Sequence, residues 1–191
     1  MKTVIFIRHG ATAGNLERRY IGRTDEELCQ LGVQQVRSLI VPTPDTLFVS
    51  PMTRTRQTAE LLFPGMPQTI VQDLRETDFG IFEGKTADEL VDNAAYRAWV
   101  DTNCEAPIPD GESVDAFKAR CVSAFLAAMQ SVPDDQTTAF VIHGGCIMAI
   151  LEALGTPKRG FYEYHIGNGQ SLIAVFNGTS LQSKPLVKLV V

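Results

Sequence analysis

Two short apolar runs in this chain each end directly in a histidine followed by glycine. Residues 4–7 lead into Arg8-His9-Gly10, and residues 139–142 lead into His143-Gly144-Gly145. Continuous apolar runs of this length are typical of strands that are buried on both faces of a parallel sheet. Because ligands of open α/β sheets bind at the carboxyl ends of the strands, the two histidines are predicted to share one site.

The rest of the pattern predicts an α/β fold, because short apolar runs alternate with segments of helical periodicity. We predict a single domain over residues 1–191, a three-layer α/β/α structure with a largely parallel central sheet. The predicted strands are residues 4–7, 46–50, 69–71, 137–142, 172–176 and 186–191. The predicted helices are residues 51–62 and 144–154, together with helices opened by Thr86 and Ser113 and one around Val33, Val36 and Ile40. Residues 11–28 are predicted to form a long loop.

Composition narrows the class of partner. The net charge of −5 argues against a nucleic-acid-binding protein, which usually presents a basic surface. No apolar stretch approaches the length of a membrane span, and the N-terminal run is too short for the core of a signal peptide. The four cysteines are scattered, with no spacing typical of a zinc site. We therefore expect a cytoplasmic protein that binds a small molecule and no nucleic acid, membrane or metal; the oligomeric state stays open.

Arginines also lie near the predicted strand ends. Arg8 directly precedes His9, and Arg54 comes just after the predicted strand 46–50. In an acidic protein, a site for an anion has to be built from a few cations placed in this way. Arg56 is better explained than Arg54 as a solvated surface residue.

Short polar groups follow both histidines. Asn15 is able to donate to a phosphate oxygen, whereas Thr12 fits equally well a role in fixing its own loop. Gly144 stands at a predicted helix start, where free backbone N–H groups favour an anion. Two imidazoles, two guanidinium groups and these donors suit the chemistry of a phosphoryl group.

Two carboxylates compete for the role of a general acid. Glu76 follows a predicted strand among apolar residues, where burial would favour the protonated acid. Asp78 lies two residues further on, and the residues alone do not separate the two. The third histidine, His165, has no comparable context and is expected to be structural.

A basic loop precedes the first predicted helix and contains Arg18, Arg19 and Arg23. If it lies beside the site, it would favour substrates with a second negative group. A solvated basic loop explains the same residues and is slightly favoured.

These segments resemble the signatures of the histidine phosphatase superfamily, in its phosphoglycerate-mutase-like branch. Residues 8–15 match RHG-x-T-x-x-N. The segment with Arg54 resembles SPMxRxxQTA, the segment with Glu76 resembles LRExxFGxFEG, and His143 opens HGG. The motifs occur in the family's order over residues 2–171.

The resemblance implies a role for each of these side chains. His9 would be the nucleophile that becomes a phosphohistidine, and Glu76 would protonate the leaving alcohol and then help to activate water. The remaining members of the implied catalytic set would hold phosphate oxygens and stabilise charge in the transition state: Arg8, Arg54 and His143. Further contacts to phosphate or substrate are expected at Asn15, Gly22, Arg23 and Gly144. The resemblance implies no metal and no other cofactor.

Within the family, the chain resembles a phosphatase more than a mutase. Mutases of the family carry a basic insertion with paired arginines, whereas residues 83–111 contain Lys85 and Arg97 but no arginine pair. The expected function is a metal-independent phosphatase of a small phosphomonoester. Residues 96–99 and 109–113 resemble α-ribazole phosphatases, so α-ribazole phosphate is one candidate substrate, although broad-specificity and fructose-bisphosphatase-like members have similar segments. A phosphoglycerate mutase and a non-catalytic module that binds a phospho-ligand are the alternatives.

Overall fold

A twisted sheet forms the centre of the computed structural model, which describes residues 1–183. Seven strands are found in this part of the chain: β1 Lys2–Arg8, β2 Thr46–Val49, β3 Thr69–Ile70, β4 Thr137–Ile142, β5 Gly155–Thr156, β6 Ser171–Phe176 and β7 Leu181–Ser183. Their spatial order is β3-β2-β4-β1-β6-β7-β5. The block β3-β2-β4-β1 is parallel throughout, and β6 joins it antiparallel to β1.

The register of the parallel block brings three strand ends to the same level. Ile7 of β1 and Val49 of β2 both pair with Val141 of β4, which lies between them. The residues that follow these strands therefore meet at one edge of the sheet. Arg8-His9, Ser50 and His143 are all delivered there by buried backbone.

Helices cover both faces of this sheet. Among residues 1–183 they are α1 Ala13–Leu16, α2 Gln30–Arg37, α3 Thr53–Leu62, α4 Ala87–Leu90, α5 Ala94–Asp101, α6 Val114–Gln130 and α7 Gly144–Leu154. Side-chain caps fix several of their starts: Thr86 forms a capping box with Glu89, and Ser113 accepts the Ala116 N–H at the start of α6.

The core divides into two apolar layers because alternate residues of each strand face opposite sides. Phe6 of β1 packs with Phe125 of α6 on one face, with ring centroids 5.6 Å apart. Ile5 and Ile7 pack on the other face, in a cluster that includes Ala59 of α3. The predicted α/β fold with a mostly parallel sheet between helical layers is confirmed.

A third apolar cluster lies outside these layers. Phe82, Tyr96 and Trp99 pack together with Leu90 and Ile108, so the segment between β3 and α6 has a small core of its own. This segment forms a wall beside the carboxyl edge of the sheet, as the lining of the cavity described below shows.

Several boundaries differ from the predicted ones. Helix α2 ends at Arg37, which leaves Ile40 outside it with 65% of its surface exposed. Pro51 precedes α3 and its N-cap residue Met52 instead of starting the helix. Two short strands, β5 and β7, carry too few residues to produce a pattern in the sequence. The strand predicted at 186–191 lies outside the described residues.

Residues 1–183 contain neither a metal-binding cluster nor a membrane-spanning helix. No group of three or more His, Cys, Asp or Glu side chains is arranged to hold a metal ion in this range. Within the same residues, no helix combines the length and apolar character needed to cross a membrane.

Candidate active site

His9 and His143 meet at the carboxyl edge of the sheet, as the sequence predicts. Their ring centroids are 5.2 Å apart, and both side chains are buried. Each histidine follows a central strand, β1 or β4, and these strands are paired in parallel. Adjacent parallel strands thus explain why residues 134 positions apart in the chain share one site.

The tautomer of His9 follows from its neighbour. Its Nδ1 atom lies 2.7 Å from the Gly10 carbonyl oxygen. Because a carbonyl oxygen only accepts, Nδ1 carries the hydrogen and Nε2 keeps its lone pair. Burial, followed by the charge of Arg54, lowers the pKa of His9 to about 3. At neutral pH the ring is therefore uncharged and has a free lone pair at Nε2.

His143 is held by a residue of the neighbouring strand. Its Nε2 atom lies 2.7 Å from Ser50 Oγ, which follows β2 directly. Burial, again followed by the charge of Arg54, lowers the pKa of His143 well below its ordinary value. When the Ser50 hydroxyl donates to Nε2, the neutral ring carries its hydrogen on Nδ1.

Both histidines make folding stability depend on pH. Between pH 6.5 and about 3, unfolded His9 is protonated while folded His9 is not. The unfolded state binds more protons in this window, so the free energy of unfolding falls as the pH is lowered, by about 1 kcal/mol per pH unit. We expect this loss to be shallower by about that amount in His9→Asn, whose amide can still donate to Gly10. Denaturant unfolding from pH 7 to pH 4 measures it, and identical slopes in both proteins would contradict it.

Buried Arg54 and partly buried Arg8 complete the cationic part of the site. Arg54, 1% exposed, donates from Nη1 to the Thr24 carbonyl at 2.8 Å and from Nη2 to the Gly22 carbonyl at 2.9 Å. Arg8 donates from Nη1 to the Ile166 carbonyl at 2.8 Å. Burial lowers the pKa of both guanidinium groups, and the charge of Glu76 acts in the opposite direction on each. The backbone therefore orients both guanidinium groups before any ligand arrives.

Donor atoms without partners concentrate at this edge. Of the five buried side-chain polar atoms that lack a hydrogen-bond partner in residues 1–183, three are Arg8 Nε, Arg54 Nε and His143 Nδ1. Buried N–H groups without a partner cost free energy, so such a cluster in a native fold calls for an explanation. An anion with several acceptor oxygens satisfies all three.

Glu76 reaches the site through the start of α7. Its Oε2 accepts the Gly145 N–H at 3.1 Å, and its Oε1 accepts the Thr77 N–H at 3.0 Å. A Cβ atom on residue 145 would lie 2.4 Å from Oε1, so glycine is required for this approach. Asp78, the rival in the sequence, accepts from the Gly80 N–H and pairs with Arg23 at 3.3 Å. The structure thus separates two carboxylates that the sequence left equivalent.

Thr12 and Asn15 have distinct places. Thr12 caps α1: its Oγ1 accepts the Asn15 N–H, and its own N–H donates to Asn15 Oδ1 at 3.2 Å. The same Oδ1 atom accepts from Asn168 Nδ2 at 3.1 Å. With its oxygen doubly occupied, Asn15 presents its NH₂ group as the available end. Asn168 was missed in the sequence, where nothing links it to a residue 153 positions away.

The remaining predicted contacts lie around this centre. Gly144 lies against Arg8, and a Cβ atom there would be 3.2 Å from the guanidinium Nε. Gly22 holds Arg54 through its carbonyl, while its N–H donates to Glu83 at 2.8 Å. Arg23 is more than half exposed and faces Asp78 rather than the buried arginines.

A cavity of about 730 Å³ opens beside Arg8, Glu76 and Gly144. Much of its lining is aromatic: Tyr20, Phe79, Trp99, Phe117, Phe161 and Tyr162. Lys118 also lines it and is paired with Glu152 at 2.7 Å. His165, expected to be structural, lines the cavity as well, with Nε2 3.4 Å from Arg8 Nη1.

Comparison with known proteins identifies the family of this chain. Residues 4–186 match the family profile of the histidine phosphatase superfamily, branch 1. The chain is 34% identical over 169 residues to the probable phosphoglycerate mutase GpmB of Enterobacter sp. (strain 638), covering 82% of this chain and 77% of that protein.

Solved structures share the whole fold. The α-ribazole phosphatase of Shigella flexneri superposes with a TM-score of 0.83 at 26% identity, over 95% of this chain and 94% of that one. The phosphoserine phosphatase of Entamoeba histolytica, in complex with 3-phosphoglyceric acid, superposes with a TM-score of 0.81 at 26% identity. The match covers 96% of this chain and 95% of that one. The chain therefore belongs to branch 1 of the histidine phosphatase superfamily.

Proposed function

We propose that this protein is a phosphomonoesterase that works through a phosphohistidine at His9 Nε2. The observation that carries the proposal is a neutral His9 with a free lone pair, beside three buried donors that lack partners. Phosphoryl transfer needs positioning and dispersed positive charge more than covalent assistance. In the proposal Arg8 and Arg54 supply this charge, so no metal or cofactor takes part.

In the first step, His9 Nε2 attacks phosphorus in line with the leaving oxygen. The new P–N bond forms as the ester P–O bond breaks, and protonated Glu76 delivers its proton to the leaving alcohol. The non-bridging oxygens accept hydrogen bonds from Arg8, Arg54 and His143 Nδ1. The Asn15 NH₂ group and the Gly144 N–H complete the set of donors.

In the second step, water attacks the phosphorus of phosphohistidine. Glu76, now a carboxylate, takes a proton from this water, and the P–N bond breaks to release phosphate. His9 returns to its neutral form, because Gly10 still accepts from Nδ1 and burial disfavours the charged ring. Atoms and charges balance over the cycle: one ester and one water give one alcohol and one phosphate.

The cavity supports a leaving group much larger than glycerate. Its aromatic wall includes Tyr20, Phe79 and Trp99, and aromatic walls favour stacked or edge-on rings. Lys118 is already neutralised by Glu152, which leaves this wall poorly suited to a second anionic group. We therefore propose the phosphate of a ring-bearing alcohol as substrate, with α-ribazole phosphate the first compound to test. The four cysteines are unpaired, in keeping with a proposed cytoplasmic location.

Hydrolysis of p-nitrophenyl phosphate in the presence of a chelator tests the proposal. We expect turnover by the native protein and none by His9→Ala. A panel of phosphorylated metabolites, including α-ribazole phosphate, then ranks substrates by kcat/KM. Full activity in His9→Ala would overturn the mechanism, and phosphate binding without any turnover would favour a non-catalytic binding module.

A mutase is the second candidate, favoured by the 34% identity to GpmB. The same phosphohistidine would then return its phosphoryl group to another hydroxyl instead of to water. Isomerisation of 3-phosphoglycerate at a rate well above its hydrolysis would identify this activity. Against it, Lys85 in the segment 83–111 is occupied by the Ile81 carbonyl at 2.9 Å.

Asn168 provides a test of the phosphate-binding set. In Asn168→Asp, a carboxylate replaces the donor to Asn15 Oδ1, so the Asn15 amide is expected to turn its oxygen toward the phosphate. We expect the dissociation constant of inorganic phosphate, measured by calorimetry, to rise about tenfold. Asn93→Asp, at the N-cap of α5, is the matched control and should bind normally, because Asp caps as well as Asn. If Asn168→Asp weakens binding equally in an Asn15→Ala background, the Asn15 explanation is wrong.

A further inference from the structure

Arg120 of α6 lies beneath the segment that carries Glu76. Its guanidinium donates from Nη1 to the carbonyl oxygens of Asp73 at 2.7 Å and Arg75 at 2.8 Å, and from Nη2 to that of Glu76 itself at 3.0 Å. Three carbonyls within four residues thus converge on one side chain. This segment contains only a 3-10 turn at Gln72–Leu74, so regular structure does not hold it.

Glu112 fixes the guanidinium from the other side. Arg120 Nε and Nη2 donate to the two carboxylate oxygens of Glu112 at 2.6 and 2.7 Å. The two side chains are only 13% and 16% exposed, and the pairing is bidentate, unlike an ordinary surface ion pair. The guanidinium also lies 5.0 Å from the ring centroid of Phe117. Arg120 therefore has one well-defined orientation.

Glu112 also contacts the chain beyond Glu76. Its backbone N–H donates to the Asp78 carbonyl at 3.0 Å. The Arg120–Glu112 pair thus holds the backbone on both sides of Glu76, while the Glu76 carboxylate is held separately by the Gly145 N–H. A lysine at position 120 could not reproduce this arrangement, because an ammonium lacks the planar fork of donors.

We propose that Arg120, oriented by Glu112, is a positioning residue that fixes the backbone of Glu76 and thereby the placement of the proton donor. This inference rests on the proposed function, in which Glu76 protonates the leaving alcohol. Arg120 touches no reacting atom, so its effect should appear only in steps that depend on Glu76. A residue of purely structural importance would affect all substrates alike.

Arg120→Lys tests the proposal through the leaving group. With an alkyl phosphate, whose alkoxide needs a proton, we expect kcat/KM, which reports the steps up to release of the alcohol, to fall about 10- to 100-fold. With p-nitrophenyl phosphate, whose leaving group needs little protonation, kcat/KM should change by less than about threefold. Arg56→Lys, on the exposed face of α3, is the matched control and should leave both rates unchanged. Equal losses on the two substrates would overturn the proposal.

Two further measurements keep the test decisive. Glu112→Gln preserves shape while removing the charge that orients Arg120, so it should show the same substrate-dependent loss even if Arg120→Lys does not fold. In a Glu76→Ala background, neither variant should lower kcat/KM for the alkyl phosphate further. A second, additive loss there would contradict a role through Glu76.

Amide hydrogen exchange gives a readout that does not depend on turnover. We expect faster exchange at Thr77 and Gly145, whose N–H groups bond to the Glu76 carboxylate, in both variants. Unchanged exchange at these amides would overturn the positioning role. Native protein and His9→Ala, assayed alongside, show separately whether the proposed function stands.

Discussion

Replacing Arg54 with methionine is expected to lower kcat/KM for phosphomonoester hydrolysis by about 1000-fold, the scale at which a single arginine stabilises a transferring phosphoryl group. Methionine has a similar length but no charge, so its side chain still fills the buried position of Arg54 in the first turn of α3. The loss should appear mainly in kcat, because charge on the phosphoryl oxygens is best stabilised in the transition state.

The same substitution two residues along supplies the control. Arg56 lies on the same helix but is exposed, and Arg56→Met is expected to keep full activity. Arg54→Met also removes the donors to the Gly22 and Thr24 carbonyls, so its thermal stability has to be measured in parallel. If folded Arg54→Met retained more than about a tenth of native kcat/KM, Arg54 would not be a principal phosphate ligand.

Removing Glu76 is expected to separate substrates by their leaving groups. In Glu76→Ala we expect kcat/KM for an alkyl phosphate to fall about 1000-fold and kcat/KM for p-nitrophenyl phosphate about tenfold or less, because general acid catalysis matters most for a basic leaving oxygen. Values of kcat/KM for a series of leaving alcohols of graded acidity measure this directly. The slope of log kcat/KM against leaving-group pKa should steepen in the variant.

Asp78→Ala is the matched control for the acid. Asp78 bonds to the Gly80 N–H and faces Arg23 rather than the histidines, so its loss should lower all rates by one common factor. A steeper slope in Asp78→Ala, with none in Glu76→Ala, would exchange the roles of the two carboxylates. Equal sensitivity of every substrate to Glu76→Ala would remove Glu76 as the proton donor.

The parts of the site that follow strands could be predicted from the sequence. Buried parallel strands have a clear apolar pattern, and their carboxyl ends necessarily meet, so the proximity of His9 and His143 followed from the pattern alone. Arg54 is identified in the same way, in the first turn of the helix that follows β2.

The parts held by loops could not be predicted in this way. Glu76 and Asp78 stand two residues apart without any periodic context, so the residues alone leave them equivalent. The family resemblance favours Glu76, and in the structure it is the Glu76 carboxylate that accepts the Gly145 N–H. Asn168, His165 and Arg120 act through contacts between distant positions of the chain, which leave no local pattern. The predicted extent of α2 was wrong for a different reason. Ile40 continues the apolar spacing of this helix, although the helix ends at Arg37.

The aromatic cavity is a further feature that sequence periodicity does not reveal. Its wall combines Tyr20 and Phe79 with Trp99 of α5 and with Phe161 from the other end of the chain. Trp99 packs with Phe82 and Tyr96. The same ring also lines the cavity, so it belongs both to the small third core and to the cavity wall.

The most direct test of the central claim is the site of phosphorylation during turnover. Native protein mixed with a good substrate and stopped rapidly in alkali, which preserves phosphohistidine, is digested and analysed by mass spectrometry. We expect one added phosphoryl group, located on His9, labile to acid and missing from His9→Ala. A phosphoryl group on another residue would contradict the phosphohistidine mechanism. Rapid turnover without any phosphorylated His9 that can be trapped would contradict it as well.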